Sequence, residues 1–201
     1  MKIILASASP RRKELLEQIG IEFLCIPSQK EEKIIEKEPD KVVEDLSRQK
    51  AFDILKRELK EDCLIIGADT VVALDGQILG KPKGEEDAKR MLSLLQGKSH
   101  KVYTGVTLII YKNGETKIKT FSEEAKVFMY PMTEKEILEY IESEEPMDKA
   151  GGYAIQGKGA VFIKKVEGEY NTVVGLPIGR IYQELKKEGI LLSMRSKKNE
   201  E

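Results

Sequence analysis

Residues 3 to 20, Ile3-Ile4-Leu5-Ala6-Ser7-Ala8-Ser9-Pro10-Arg11-Arg12-Lys13-Glu14-Leu15-Leu16-Glu17-Gln18-Ile19-Gly20, read as a short buried strand running straight into a helix. Ser9 suits the N-cap and Pro10 the first helical position. Leu15, Leu16 and Ile19 form an apolar face, and Gly20 is a stop. Arg11 and Arg12 break this pattern. They place two cations in the first turn, where backbone N–H groups already carry partial positive charge, at a cost of about 0.3–1 kcal/mol each. An anion reverses the sign. A phosphate chain at this helix start would accept hydrogen bonds from backbone N–H groups, the hydroxyls of Ser7 and Ser9, and two guanidinium forks. The plain alternative is a pair of solvated surface charges.

The bulk properties exclude several classes. With 201 residues and 40% hydrophobic content, the chain can bury one substantial core, with room for two lobes around a cleft. We expect a single domain over residues 1–194 and a polar tail over 195–201. The 34 basic and 35 acidic residues nearly cancel, so no global field marks a nucleic-acid or membrane-surface binder. Cys25 and Cys63 lie in apolar, strand-like runs and read as buried free thiols, and the N-terminus shows neither a signal peptide nor a spanning helix. The expectation is a cytoplasmic protein. The lone His100 cannot build a histidine metal site.

Working outward, Phe23-Leu24-Cys25-Ile26 reads as a strand, followed by a charged, mobile loop from Gln29 to Glu38. Pro39 and Asp40 open a long helix that carries Lys50 and extends to about Leu59. Cys63-Leu64-Ile65-Ile66-Gly67-Ala68 is a nearly continuous apolar run, the mark of a strand covered on both faces, and it ends at Asp69-Thr70. A carboxylate desolvated there without a partner costs several kcal/mol, so Asp69 should face a cleft, be paired, or bind metal. Satisfaction by backbone amides in a sharp turn is the alternative. Asp75-Gly76 is a hairpin turn that brings Lys81, after Gly80, near Asp69.

Further on, a helix spans Glu85 to Leu95, a strand Val102 to Tyr111, and Asn113-Gly114 makes a tight hairpin. Two more strands follow, one through Phe121 and one from Ala125 to Met129. Thr133 with Glu136 forms a capping box. The segment from Glu145 to Ala160 holds four glycines, Lys149, Lys158 and Gln156 before a strand at Val161-Phe162-Ile163. Its glycines permit close backbone approach to a ligand, and the Gln156 amide can read a base edge as donor and acceptor together. An ordinary irregular loop is the alternative. The alternation of strands and helices, followed by an antiparallel portion, gives an α/β fold with a mixed, twisted sheet flanked by helices.

A nucleoside triphosphate with a divalent cation, Mg²⁺ or Mn²⁺, satisfies all these features. The hydroxyl-rich basic helix start and Lys149 meet phosphates, while Asp69 with an acid of the Glu31-Glu32 pair supplies the one or two carboxylates such an ion takes. Neither a Walker A sequence nor a G-x-G-x-x-G is present.

At these residues the chain also resembles a known family. Leu5-Ala6-Ser7-Ala8-Ser9-Pro10-Arg11-Arg12, Gly67-Ala68-Asp69-Thr70, Gly80-Lys81-Pro82, Glu145-Pro146-Met147-Asp148-Lys149-Ala150-Gly151 with Ile155-Gln156-Gly157, and Val174-Gly175-Leu176-Pro177 are similar to the signatures of the Maf nucleoside triphosphate pyrophosphatases. The resemblance implies a fold like that of inosine triphosphate pyrophosphatases, with two lobes around a cleft, and a homodimer. It also implies a house-cleaning hydrolase that splits a triphosphate into monophosphate and pyrophosphate. Arg11, Thr70 and Gln156 match the specificity positions of the dTTP and UTP branch. Asp69 maps to the proton acceptor, Glu32 to an acid near the metal, and Lys50 and Lys81 to cleft cations, with Ser7, Ser9, Arg12 and Lys149 on the phosphates. A non-catalytic, nucleotide-binding regulator of cell division or septum formation is the rival reading. An RNA-binding protein is weaker, because basic stripes interleaved with aromatics are absent.

Overall fold

The structure is a computed structural model that describes residues 1–58 and 61–192. The expected tail and the last residue expected of the long helix, Leu59, lie outside that range. Strand β1 (Lys2–Ala6) leads into helix α1 (Pro10–Gln18), which places Leu15 and Leu16 in the core and ends as Gly20 turns to φ +70°. Ser9 occupies the N-cap position without a capping side-chain bond. Its N–H donates instead to Ser7 Oγ at 3.1 Å. The next strand, β2 (Leu24–Cys25), is two residues at the sheet edge, and both side chains are exposed. Cys25 is therefore an exposed free thiol, contrary to the apolar-run expectation, while Cys63 is buried.

Helix α2 (Pro39–Glu58) packs on strand β3 (Cys63–Leu74). Sequence placed Asp69 at a strand end, but β3 runs unbroken through it for 12 residues. The end belongs to its neighbours. On one side β5 (Ser99–Lys112) pairs with β3 from Cys63 to Ala73. On the other, β1 pairs in parallel only as far as Gly67, and β4 (Gln77–Leu79) takes over antiparallel at Val72. Residues 68–71 thus border a notch in the sheet. The Asp75-Gly76 turn, with φ of +49° and +81°, builds that second neighbour.

Helix α3 (Glu85–Leu95) follows, and β5 returns through Asn113-Gly114 into β6 (Glu115–Met129). The two strands read after that turn are one, because β5 offers a ladder partner from Lys112↔Glu115 to Ser99↔Phe128 and the polar stretch at residues 122–124 stays paired. Helix α4 (Glu134–Glu142) carries the expected capping box, with Thr133 N–H donating to Glu136 Oε2 at 2.7 Å. Short 3-10 turns occupy residues 145–148, 150–152 and 157–162, so β7 (Ile163–Glu167) starts later than the expected strand at Val161. Helices α5 (Tyr170–Val174) and α6 (Ile178–Lys187) close the described chain.

The sheet runs β2-β1-β3-β5-β6-β7 with β4 on β3, a mixed seven-stranded α/β architecture. Side-chain alternation divides the core into layers. Leu64, Ile66 and Ala68 pack with Leu15, Leu16, Leu176 and Leu185, whereas Cys63 and Ile65 pack with Ala51 and Ile54 of α2. Both faces of β3 are covered, which explains its continuous apolar run. Burial of each such aliphatic side chain contributes about 1.5–3 kcal/mol. Two glycines permit the helix–sheet contact: a Cβ on Gly67 would lie 2.3 Å from Ser47 O, and one on Gly105 would lie 2.2 Å from Val43 O.

Candidate active site

The notch opens into a cleft of about 910 Å³, within the range of small-molecule sites. The residues assigned to the site by motif or resemblance line it: Ser7, Ser9, Arg11, Arg12, Glu32, Lys50, Asp69, Thr70, Lys81, Lys149 and Gln156, whereas Glu31 and Lys158 do not. The β1–α1 turn enters on one side, the segment after β4 on another, and the loop from Glu145 to Gly159 faces them.

Adjacent residues of β3 serve opposite faces of the sheet. Asp69, in phase with Gly67, faces α2, where Lys50 Nζ donates to its Oδ1. The same Nζ lies 3.1 Å from Glu32 Oε1, so one ammonium bridges the two carboxylates. Of the Glu31-Glu32 pair, Glu32 is the one that reaches the site. Its loop is irregular, as expected, yet pinned rather than free. Gln29 N–H donates to Asp53 Oδ2 at 2.9 Å, Lys33 N–H donates to Gln49 Oε1 at 3.0 Å, and Gln49 Nε2 donates back to Lys33 O at 2.7 Å. The N–H of Gln29 holds the Asp53 carboxyl below its ordinary range against burial, the next largest effect, with lesser help from Ser28, Arg57 and Lys30.

Thr70 faces the other way, toward α1 and α5. Arg12 donates from Nε to Gly175 O at 2.8 Å, from Nη1 to Ala68 O at 2.9 Å and Ser7 Oγ at 3.3 Å, and from Nη2 to Thr70 Oγ1 at 3.0 Å. Ala68 O is a β3 carbonyl on the notch, so the guanidinium satisfies an edge that neither β1 nor β4 reaches. Burial pulls the Arg12 pKa down, opposed by the charges of Asp69 and Glu32. Thr104 Oγ1 donates to Thr172 O at 2.7 Å, which commits its proton, so at the 2.9 Å Thr70–Thr104 contact Thr70 is the donor. The Thr70 hydroxyl is thereby fixed in direction, accepting from Arg12 and donating to Thr104.

Arg11, half-buried, points at the opposite wall. Burial would raise the Glu145 carboxyl, but the N–H groups of Gly159 and Lys158, then the Tyr140 hydroxyl and last the Arg11 charge, hold it below its ordinary range. On that wall Lys149 contacts Asp148, and Gln156 is half-buried with its side chain capping nothing. Beneath the loop, His100 Nε2 meets Tyr153 Oη at 2.7 Å, and burial pushes the His100 pKa down to about 4. His100 is thus a neutral core residue.

Among the described residues, no group of three or more His, Cys, Asp and Glu side chains could hold a metal, and no helix is long and apolar enough to cross a membrane. The donor set fits a hard divalent ion in another way. Glu32 and Asp69 both contact one cationic Nζ, so a divalent ion taking the place of that ammonium would meet two carboxylates there.

Sequence reasoning missed the supports of this site. Gln49 and Asp53 flank Lys50 on α2 without any motif, and Thr104 lies in a plain strand. Tyr140 sits mid-helix. The signal for Glu145 is its place at the head of the Glu145-Pro146-Met147-Asp148 motif.

A family model described as Maf-like protein matches residues 2–188. The chain is 57% identical to the dTTP/UTP pyrophosphatase of Agathobacter rectalis, covering 94% of this chain and 98% of that protein. It is 54% identical to the dTTP/UTP pyrophosphatase of Lachnoclostridium phytofermentans (94% and 96% covered) and 51% identical to that of Carboxydothermus hydrogenoformans (94% and 100%). Among solved structures, the Staphylococcus aureus Ham1 protein shares the fold with a TM-score of 0.51 at 14% identity, covering 94% of this chain and 100% of that one.

Proposed function

The chain belongs to the Maf family, and we propose that it is a nucleoside triphosphate pyrophosphatase that hydrolyses dTTP and UTP to the monophosphate and pyrophosphate. One observation carries the reading. Asp69, held by Lys50 beside Glu32, stands in the sheet notch between a basic helix start and the loop that carries the Gln156 amide. This arrangement supports a reading in which the cations meet the phosphates and the Gln156 amide meets the base. The regulator of cell division or septum formation is not favoured, since the curated relatives carry an enzyme's name.

In this reading Arg11, Lys81 and Lys149, with Ser7 and Ser9, bind the outer phosphates, and Gln156 fixes the base. Four of the five Arg12 donors' bonds go to the protein, so Arg12 orients the Ser7 and Thr70 hydroxyls and reaches phosphate only with what remains. Arg11, Thr70 and Gln156 set specificity. Glu32 and Asp69 would hold a divalent ion, Mg²⁺ or Mn²⁺, which when bound neutralises phosphate charge. The α-phosphorus then lies between the two ends of the cleft. Asp69 takes the proton of a water that attacks it, Lys50 orients the carboxylate, and the bond to the bridging oxygen breaks as pyrophosphate leaves toward the cations. We further read the protein as a cytoplasmic homodimer without nucleic-acid or membrane partners.

Hydrolysis in ¹⁸O-labelled water tests the reading. The label enters UMP or TMP and the pyrophosphate stays unlabelled. Label in pyrophosphate, or release of orthophosphate with UDP, overturns it.

A further inference from the structure

The loop that carries Gln156 is held by a single carboxylate. Glu145 Oε1 accepts from Gly159 N–H at 2.9 Å and from Tyr140 Oη at 2.9 Å, while Oε2 accepts from Lys158 N–H at 2.9 Å. The Tyr140 hydroxyl in turn accepts from Ala154 N–H at 3.0 Å. These bonds bracket Gln156, one anchor two residues before it and two anchors two and three residues after it. Tyr140 belongs to α4 and packs in the core with Tyr153, so the bracket is referred to a rigid element.

The turn is shaped around this carboxylate. Gly157 has φ +80°, and a Cβ there would fall 2.3 Å from Glu145 Oε2. The carboxylate occupies the space where a side chain at position 157 would sit. Burial alone would raise the Glu145 carboxyl, but the N–H groups of Gly159 and Lys158 and the Tyr140 hydroxyl together hold it below the usual range. Burial raises the Tyr140 pKa, so the phenol keeps the proton it donates. Neither residue lines the cleft.

We infer that Glu145 and Tyr140 are positioning residues for base selection, holding the backbone on both sides of Gln156 so that its amide meets the pyrimidine edge in one geometry. The inference rests on the reading of Gln156 as the base-selecting residue of a dTTP/UTP pyrophosphatase. A residue acting through Gln156 should matter only while Gln156 is present. A loop held merely for stability would lose binding of all nucleotides alike.

The test is a double-mutant cycle on the full chain, with Tyr140→Phe, Glu145→Gln, Gln156→Ala and the two doubles containing Gln156→Ala. Calorimetric titration with α,β-methylene analogues of UTP and CTP gives the preference between bases, UTP turnover is followed separately by pyrophosphate release, and thermal melting reports folding. Gln156→Ala should remove most of the preference. Tyr140→Phe should lower it about 3- to 10-fold and Glu145→Gln about 10-fold or more, and each should add less than about 2-fold in the Gln156→Ala background. Tyr140→Phe keeps the ring packing, so it decides alone if Glu145→Gln fails to fold. Equal losses for both analogues, a preference unchanged in Tyr140→Phe, equal losses with and without Gln156, or a wild type without base preference overturns the inference. Coupled loss of preference without UTP turnover by the wild type leaves the positioning role standing and refutes the enzymatic reading. Turnover without coupling does the reverse.

Discussion

The two walls of the cleft are built on different principles. The wall that carries Asp69 and Lys50 uses side chains on a strand and a helix in contact, joined by Glu32 from a pinned loop and tied by ion pairs. The wall that carries Gln156 is irregular chain tied by backbone N–H groups to one carboxylate and one phenol. The first wall needs a carboxylate and an ammonium at fixed separation, which regular elements supply through their own backbone bonds. The second must approach a flat base closely, which favours glycine-rich backbone, so its rigidity has to come from side chains elsewhere. In the proposed reading the first wall supplies the catalytic base and its support, and the second the amide that reads the nucleobase.

Substitutions should separate the walls cleanly. The largest effect is expected at Asp69→Asn, which keeps shape and removes the charge; turnover should fall at least about 10²-fold for every nucleotide, with the order of base preference retained. Near-normal turnover of dTTP by that variant would end the assignment of Asp69 as base.

Next comes the ground under the loop wall. His100 sits beneath Tyr153 with Nδ1 lacking a partner among the described residues, and its folded pKa is lowered from 6.5 to about 4. Below pH 6.5 the unfolded chain takes up a proton that the folded chain refuses. The His100 contribution is thus intact above pH 6.5 and eroded as pH falls toward 4, by on the order of 3 kcal/mol. Urea denaturation across this window should show a slope that His100→Phe flattens. An unchanged slope would mean that His100 takes up its proton within the fold.

A smaller, more selective effect is expected at Gln156→Glu, which exchanges a donor for an acceptor and adds charge. The loss in kcat/KM should be about 1–3 kcal/mol for UTP and dTTP and less for other triphosphates. Equal losses for all bases would assign Gln156 to the loop and not to the base.

The smallest effect lies outside both walls. Glu184 of α6, bound by Lys187 first and then by Lys119 and Arg180, has its carboxyl lowered from 4.5 to about 2. Its folded pKa is depressed, so its contribution is present above pH 4.5 and lost as pH falls toward 2. Glu184→Gln should lower stability above pH 4.5 and leave the base preference untouched. A changed preference in that variant would show that the walls are not independent of α6.

Sequence determined the mixed α/β fold, because periodicity, caps and turn residues act locally: Pro10 after Ser9, Asp75-Gly76, and Thr133 with Glu136 each commit a few residues whatever surrounds them. It also gathered the cleft residues, since cations at a helix start and an acid in an apolar run carry costs that only a ligand or a partner offsets. It could not place the ends of ladders. The continuous β3 and β6, the exposed edge at Cys25 and the late start of β7 follow from which strand lies alongside, and pairing at a distance leaves no periodic mark. Only the tertiary structure gave the adjacent arginines and the adjacent Asp69 and Thr70 their different tasks. Arg12 turns into the notch while Arg11 faces the loop, and Asp69 meets α2 while Thr70 meets Arg12, because neighbours on a strand point to opposite faces and a hydrogen bond forms only with what stands there.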